Sequence, residues 1–233
     1  MAVKPSRAKR TIVGVRKGLF LGTIVTALLA GLLAATPAGA NTGLVSDEFS
    51  SGSLGSHWTL FDPIGDASVT ATGSHVDLSV PAGVSHNLWT NQLNAPRLLQ
   101  DANDDDLELE IKIDSPISQK YQLQGLVVQQ DNGNLVRVDV YHTGSKTKLF
   151  AATFTNGKAT AKANIDTTMV APYWLRLNRT ADLWTFSASD DGTNWTTVTS
   201  FTHALTVNQA GIFAGNHNPS PAHTASFDYF RVS

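Results

Sequence analysis

Apolar and polar residues alternate through most of the chain, and almost nowhere does a helical period persist. Val76, Leu78 and Val80 point one way in "HVDLSV", as do Leu107, Leu109, Ile111 and Ile113 in "LELEIKI". In "LVRVDVYH" Val136, Val138 and Val140 oppose Leu135, Arg137, Asp139 and Tyr141. In "YWLRLNR" Leu175 and Leu177 oppose Trp174, Arg176 and Asn178, and in "SFDYFRV" Phe227, Tyr229 and Arg231 oppose Asp228, Phe230 and Val232. A period of two with one apolar face predicts antiparallel strands covered on one side. "DNGN", "HTGSK", "TNGK" and "SDDGTNW" separate these runs with residues that adopt the left-handed backbone of tight hairpins. About a dozen or more strands at such spacing predict an all-β, two-sheet antiparallel jelly-roll sandwich.

The first 40 of the 233 residues are of another kind. Lys4, Arg7, Lys9, Arg10, Arg16 and Lys17 form a basic start without acidic residues, "GLFLGTIVTALLAGLLAA" is apolar throughout, and Ala38 and Ala40 end a small-residue stretch. That layout predicts a secretory signal peptide over residues 1–40, cut after Ala40, and a secreted, extracellular domain over 41–233 with no membrane segment left after cleavage. The export signal carries six of the 17 Lys+Arg and none of the 19 Asp+Glu, so the remaining domain has a net charge of −8. Such an acidic surface repels phosphate backbones, which argues against a nucleic-acid partner. With no Cys there are no disulfides, no thiolate metal site and no thiol nucleophile.

Several segments, taken in order, resemble a known family: "DEFSSGSLGSHW", "NLWTNQLNAPRLLQ", "LELEIKI", "YQLQGLVVQQDNGNLVRVDVYH", "YWLRLNR", "DDGTNWTTV", "QAGIFAGN" and "FDYFRV". They are similar to concanavalin A-like domains of unknown function, themselves likened to laminin-G domains and to the C-terminal module of β-xylosidases of glycoside hydrolase family 43. The resemblance covers nearly all of residues 41–233 and implies a jelly roll with a concave face. It says far more about fold than about activity.

The candidate chemistry starts with Asp106, Glu108 and Glu110, which share one strand face. Their spacing of about 6.6–6.8 Å is near that of glycosidase carboxylate pairs. The residue order argues against catalysis: laminarinase-like jelly-roll hydrolases carry Glu-x-Asp-x-Glu, and here the order is Asp-x-Glu-x-Glu, with Lys112 continuing the face. No catalytic residue is therefore assigned. The seven histidines are scattered, with neither a zinc-binding His-x-x-x-His nor a Gly-x-Ser-x-Gly elbow. The oxygen-rich "DANDDD" suits a structural calcium but lacks the spacing of an EF-hand loop.

Sugars are held by aromatic faces together with amides, guanidinium groups and carboxylates. On that basis the expected ligand-binding set is Trp89, Arg97, Glu108, Glu110, Gln122, Gln124, Arg137, Asp139, Tyr141, Arg176, Asn216 and His217, lining one concave surface. The expected function is a non-catalytic, lectin-like module for a glycan or polysaccharide. Two alternatives stand beside it: a glycoside hydrolase or polysaccharide lyase, and a laminin-G-like protein-interaction domain.

Overall fold

A computed structural model describes residues 1–2 and 43–233. Residues 3–40 of the expected signal peptide, with its boundary at Ala40, lie outside the described residues. No helix among those described is long and apolar enough to cross a membrane.

The chain builds two seven-stranded sheets in which every pairing is antiparallel. The first sheet runs, edge to edge, β1 (Thr59–Phe61), β6 (Arg97–Asp101), β15 (Gln209–Gly215), β8 (Leu123–Asp131), β9 (Asn134–His142), β10 (Thr147–Thr155) and β11 (Lys158–Thr167). The second runs β14 (Thr196–Thr202), β13 (Leu183–Ser189), β12 (Tyr173–Thr180), β7 (Leu107–Ile113), β16 (His223–Val232), β3 (Val76–Val80) and β2 (Ser68–Ala71). A short hairpin, β4 (Leu88–Trp89) and β5 (Gln92–Leu93), pairs only with itself. The all-β, two-sheet sandwich is the architecture that the alternation predicts.

The main core lies between the sheets. Leu107, Leu109, Ile111 and Ile113 of β7, Leu175 and Leu177 of β12, and Val136, Val138 and Val140 of β9 meet there. Each such buried side chain contributes roughly 1.5–3 kcal/mol relative to exposure. The opening "DEF…W" segment is tied to this core. Asp47 bridges to Phe230 through the backbone and accepts the Trp58 indole N–H at 2.9 Å, while Trp58 packs edge-on against Phe230. The turns form where expected. Asn156 and Gly157 between β10 and β11 have φ of 51° and 77°, the left-handed pair that a two-residue hairpin needs.

Two expectations are corrected. Strict alternation in β16 breaks at a bulge between Phe227 and Tyr229, so Phe227 and Phe230 both enter the core, while Tyr229 and Arg231 share the face of Glu110. A bulge adds one residue and flips the parity that follows it. The polar side of β9 is also not solvated. A second hydrophobic cluster, including Leu99, Val127, Leu135, Phe150, Phe154 and Phe213, lies on the outer face of the first sheet, and Leu88 and Ala95 are buried in it. The β4–β5 hairpin closes over that cluster, and Arg137 and Asp139 are buried with it.

Candidate functional site

The outer face of the first sheet is only partly covered, and the uncovered part is a pocket of about 370 Å³. Its floor comes from Leu123 on β8, Arg137 and Tyr141 on β9, and Phe150 on β10. Asn87, Trp89 and Gln92 of the hairpin region form one wall. Tyr121 and His217 form another, and Ala161 and Asn164 of edge strand β11 complete the rim.

Each wall is positioned by specific contacts. Trp89, about one-third exposed, stands edge-on to Phe150 and Phe154, with ring centroids 5.6 and 6.2 Å away. Tyr121 stacks on Tyr141 at 6.3 Å and tilts against His217 at 5.5 Å. The Tyr141 hydroxyl donates to Asn164 Oδ1 at 2.9 Å, and burial pushes its pKa above the ordinary phenol value. Asn87 donates from Nδ2 to Gln92 Oε1 at 3.1 Å, and His217 Nδ1 meets Ser85 Oγ at 2.8 Å.

Part of the floor belongs to a buried ion pair. Arg137 forks onto Asp139, with Nε to Oδ1 at 2.8 Å and Nη2 to Oδ2 at 2.7 Å, and its Nη1 donates to the Leu88 carbonyl. The guanidinium sits 4.8 Å from the centroid of the Phe150 ring and 5.3 Å from that of Phe213. Asp139 is fully buried. Desolvation pushes its pKa upward against the pull of Arg137. Gly125 makes room for the pair, because a Cβ there would lie 2.2 Å from the Val138 carbonyl and 2.7 Å from Asp139 Cβ.

The expected set is thus divided. Trp89, Arg137, Tyr141 and His217 meet at the pocket, with Asp139 under it. Arg97 shares the outer face but is fully buried away from the pocket. It donates to Gln129 Oε1 at 2.8 Å, Asn132 Oδ1 at 2.8 Å and the Leu93 carbonyl at 3.2 Å. These partners are neutral, its Nε has no partner among the described residues, and burial pulls its pKa down to about 10. Asn216 lies next to the pocket, but its side chain is buried. Its oxygen accepts the His86 backbone N–H at 2.9 Å, and its amide donates to Pro81 and Pro221 carbonyls.

The other expected residues lie elsewhere. Gln122 and Gln124 have the parity of Leu126 and Val128, which point into the sandwich. Gln122 ties the 118–119 backbone to the Ala222 carbonyl, and Gln124 bonds Ser115 and His223 in the interior. Glu108, Glu110 and Arg176 are on the outer face of the second sheet, across the sandwich. There Arg176 donates to Glu110 at 2.6 Å, pairs with Glu108 at 3.3 Å and stacks on Trp195 at 3.8 Å. Tyr229 donates to the other Glu110 oxygen at 2.6 Å. The acidic loop is turned toward protein donors. Asp101 accepts from Gln209, Asp104 from Arg179 and the Val207 N–H, and Asp106 from the Ala181 N–H. No three His, Asp or Glu groups converge on a metal position among the described residues.

Sequence reasoning missed Asn87, Gln92, Tyr121, Phe150 and Asn164. The hairpin that carries Gln92 is too short to show a period, and Tyr121 holds φ = 60° outside any strand. Phe150 and Asn164 have the parity of the outer face, but nothing local assigns β10 and β11 to that sheet.

A family model described as "Protein of unknown function (DUF1349)" matches residues 79–233. Among solved structures the chain is similar to a GH43 protein from Bacillus licheniformis, at 18% identity and a TM-score of 0.65, over 80% of this chain and 38% of that one. It is similar to a xylan β-1,4-xylosidase from Bacillus halodurans, at 16% identity and a TM-score of 0.60, over 81% of this chain and 38% of that one. It is also similar to a β-glucanase from Bacillus licheniformis, at 12% identity and a TM-score of 0.58, over 83% of this chain and 99% of that one. The chain therefore spans well under half the length of the first two. At these identities the likeness is one of fold, the concanavalin A-like sandwich. No curated protein matches the sequence.

Proposed function

Because the chain belongs to the DUF1349 family, whose function is unknown, its role has to be read from the pocket, and we propose a secreted, non-catalytic carbohydrate-binding module. The observation that carries this reading is the composition of the pocket. Aromatic rings (Trp89, Tyr121, Tyr141, Phe150) stand beside amides (Asn87, Gln92, Asn164) and an imidazole, with no carboxylate among the lining residues. Ring faces suit the C–H faces of sugars, and amides exchange paired hydrogen bonds with vicinal hydroxyls.

Hydrolysis needs two carboxyl groups flanking the scissile bond, about 5–9.5 Å apart. Asp139, under the pocket, is locked to Arg137. Glu108 and Glu110 are engaged by Arg176 and Tyr229 on the other side of the sandwich. Secretion is supported by the basic and apolar start of the chain. N-terminal sequencing of protein from culture medium is expected to begin at Asn41.

The xylosidase and β-glucanase likenesses make xylan and β-glucan the first probes. Isothermal titration calorimetry is expected to show binding to oligosaccharides from one of them. Trp89→Ala is expected to weaken that binding at least about tenfold, or about 1.4 kcal/mol. No binding across a broad panel of plant, fungal and bacterial polysaccharides, or binding indifferent to Trp89→Ala, would overturn the proposal.

A further inference from the structure

On the carbohydrate reading above, we infer that the pocket captures the end of a glycan chain or a short oligosaccharide, not an internal stretch of polymer. Strand register lays out the outer face of β8–β11 as four cross-strand rows. The first is Leu123, Tyr141, Lys148 and Asp166; the second is Gly125, Asp139, Phe150 and Asn164. The third is Val127, Arg137, Ala152 and Ala161; the fourth is Gln129, Leu135, Phe154 and Ala159. Successive rows lie about 6.6–6.8 Å apart.

A sugar chain running along the strands of this face would have to pass over all four rows. It cannot, because the hairpin closes one end: Val127 and Ala152 of the third row and Leu135 and Phe154 of the fourth are fully buried in the cluster that takes in Leu88 and Ala95, and only Arg137 and Ala161 of the third row reach the pocket. The seal is fastened at three points. Arg137 holds the Leu88 carbonyl at one arm of the β4–β5 hairpin, and Arg97 holds the Leu93 carbonyl at the other. At the tip, Thr90 Oγ1 accepts the Ala159 N–H of edge strand β11 at 2.9 Å. Hydrogen bonds from ionised donors are about twice as strong as neutral ones. Displacing the hairpin would break two of them and bare the cluster.

A second wall is fixed independently of the hairpin arms. The Tyr121 N–H donates to the His142 carbonyl at 2.6 Å, and the His217 N–H donates to the Tyr121 carbonyl at 3.1 Å. The uncovered volume, about 370 Å³, is near the lower end of ligand sites, roughly 300–1,000 Å³. In this shape Arg97, a buried cation with neutral partners, holds closed the side of the groove through which a polymer would otherwise pass.

The test is a calorimetric length series on the full chain, with xylo-oligosaccharides and β-glucan oligosaccharides of two to six sugars and with the parent polymers. Affinities within about threefold from disaccharide to hexasaccharide, and one protein bound per polymer chain, are expected. A rise of tenfold or more with length, or several proteins per polymer chain, overturns the chain-end inference and leaves the carbohydrate reading intact. Absence of binding at every length, here and when the series is repeated across the broad polysaccharide panel, overturns both.

Discussion

Replacing Arg137 by Met tests the most demanding feature of the site, a buried charge pair that also fastens the hairpin. The side chains of Arg137 and Asp139 are 4% and 0% exposed, so Arg137→Met leaves the Asp139 carboxylate without its fork and the Leu88 carbonyl without its donor. Removing one partner of a buried ion pair costs about 3–5 kcal/mol. Part of that is relieved, because burial already pushes the Asp139 pKa upward and the carboxyl can take a proton. An orphaned buried carbonyl adds about 1–3 kcal/mol. A net loss of about 4 kcal/mol corresponds, for a domain of this size, to a fall in Tm of about 8–16 °C.

The companion variant Arg137→Met/Asp139→Leu removes both charges, and such apolar replacements are often close to neutral. It should recover about 2 kcal/mol or more of the loss, giving a strongly non-additive cycle. Thermal and urea unfolding followed by circular dichroism measure all four corners. A single-variant cost under about 1 kcal/mol, or a double variant as unstable as the sum of the singles, would refute the reasoning.

Two further outcomes follow from other parts of the molecule. His223 is buried and its pKa is pulled down to about 4 by desolvation. The unfolded chain therefore binds the extra proton between about pH 6.5 and 4, and stability should fall by about 3 kcal/mol as pH drops through that window; urea midpoints at pH 7 and 4.5 read the effect, and His223→Gln should flatten it. Glu110→Gln, across the sandwich from the pocket, should leave glycan affinity within about twofold in calorimetry and cost only about 1 kcal/mol of stability, as expected of a partly exposed pair.

The core was legible because local parity encodes it. Leu107 to Ile113 and Val136 to Val140 point inward as their alternation predicts, and Arg137, Asp139 and Tyr141 share the opposite face. Parity does not reveal which sheet a strand joins. Glu110 and Tyr141 are both outward-facing, yet they end on opposite sides of the sandwich, because that depends on pairings between β7 and β12 or β16 and between β9 and β8 or β10. Nor does parity reveal covering from outside. The hairpin at Leu88–Leu93 turns what reads as a solvated face into a second cluster and carries Trp89 and Gln92 to the pocket. Gln122 and Gln124 follow the inward parity of Leu126 and Val128; a polar side chain facing inward is held by local acceptors and donors, here the 118–119 backbone, Ser115 and the Ala222 carbonyl.

Binding at the pocket beneath the hairpin is tested most directly by nuclear magnetic resonance on ¹⁵N-labelled protein, titrated with the oligosaccharide that calorimetry finds tightest. The account predicts movement of the Trp89 indole signal and of the Asn87, Gln92 and Asn164 side-chain amides, while the Trp174 and Trp195 indoles stay in place. Shifts at Trp174 and Trp195 with Trp89 unmoved would put the ligand on the second sheet and contradict it.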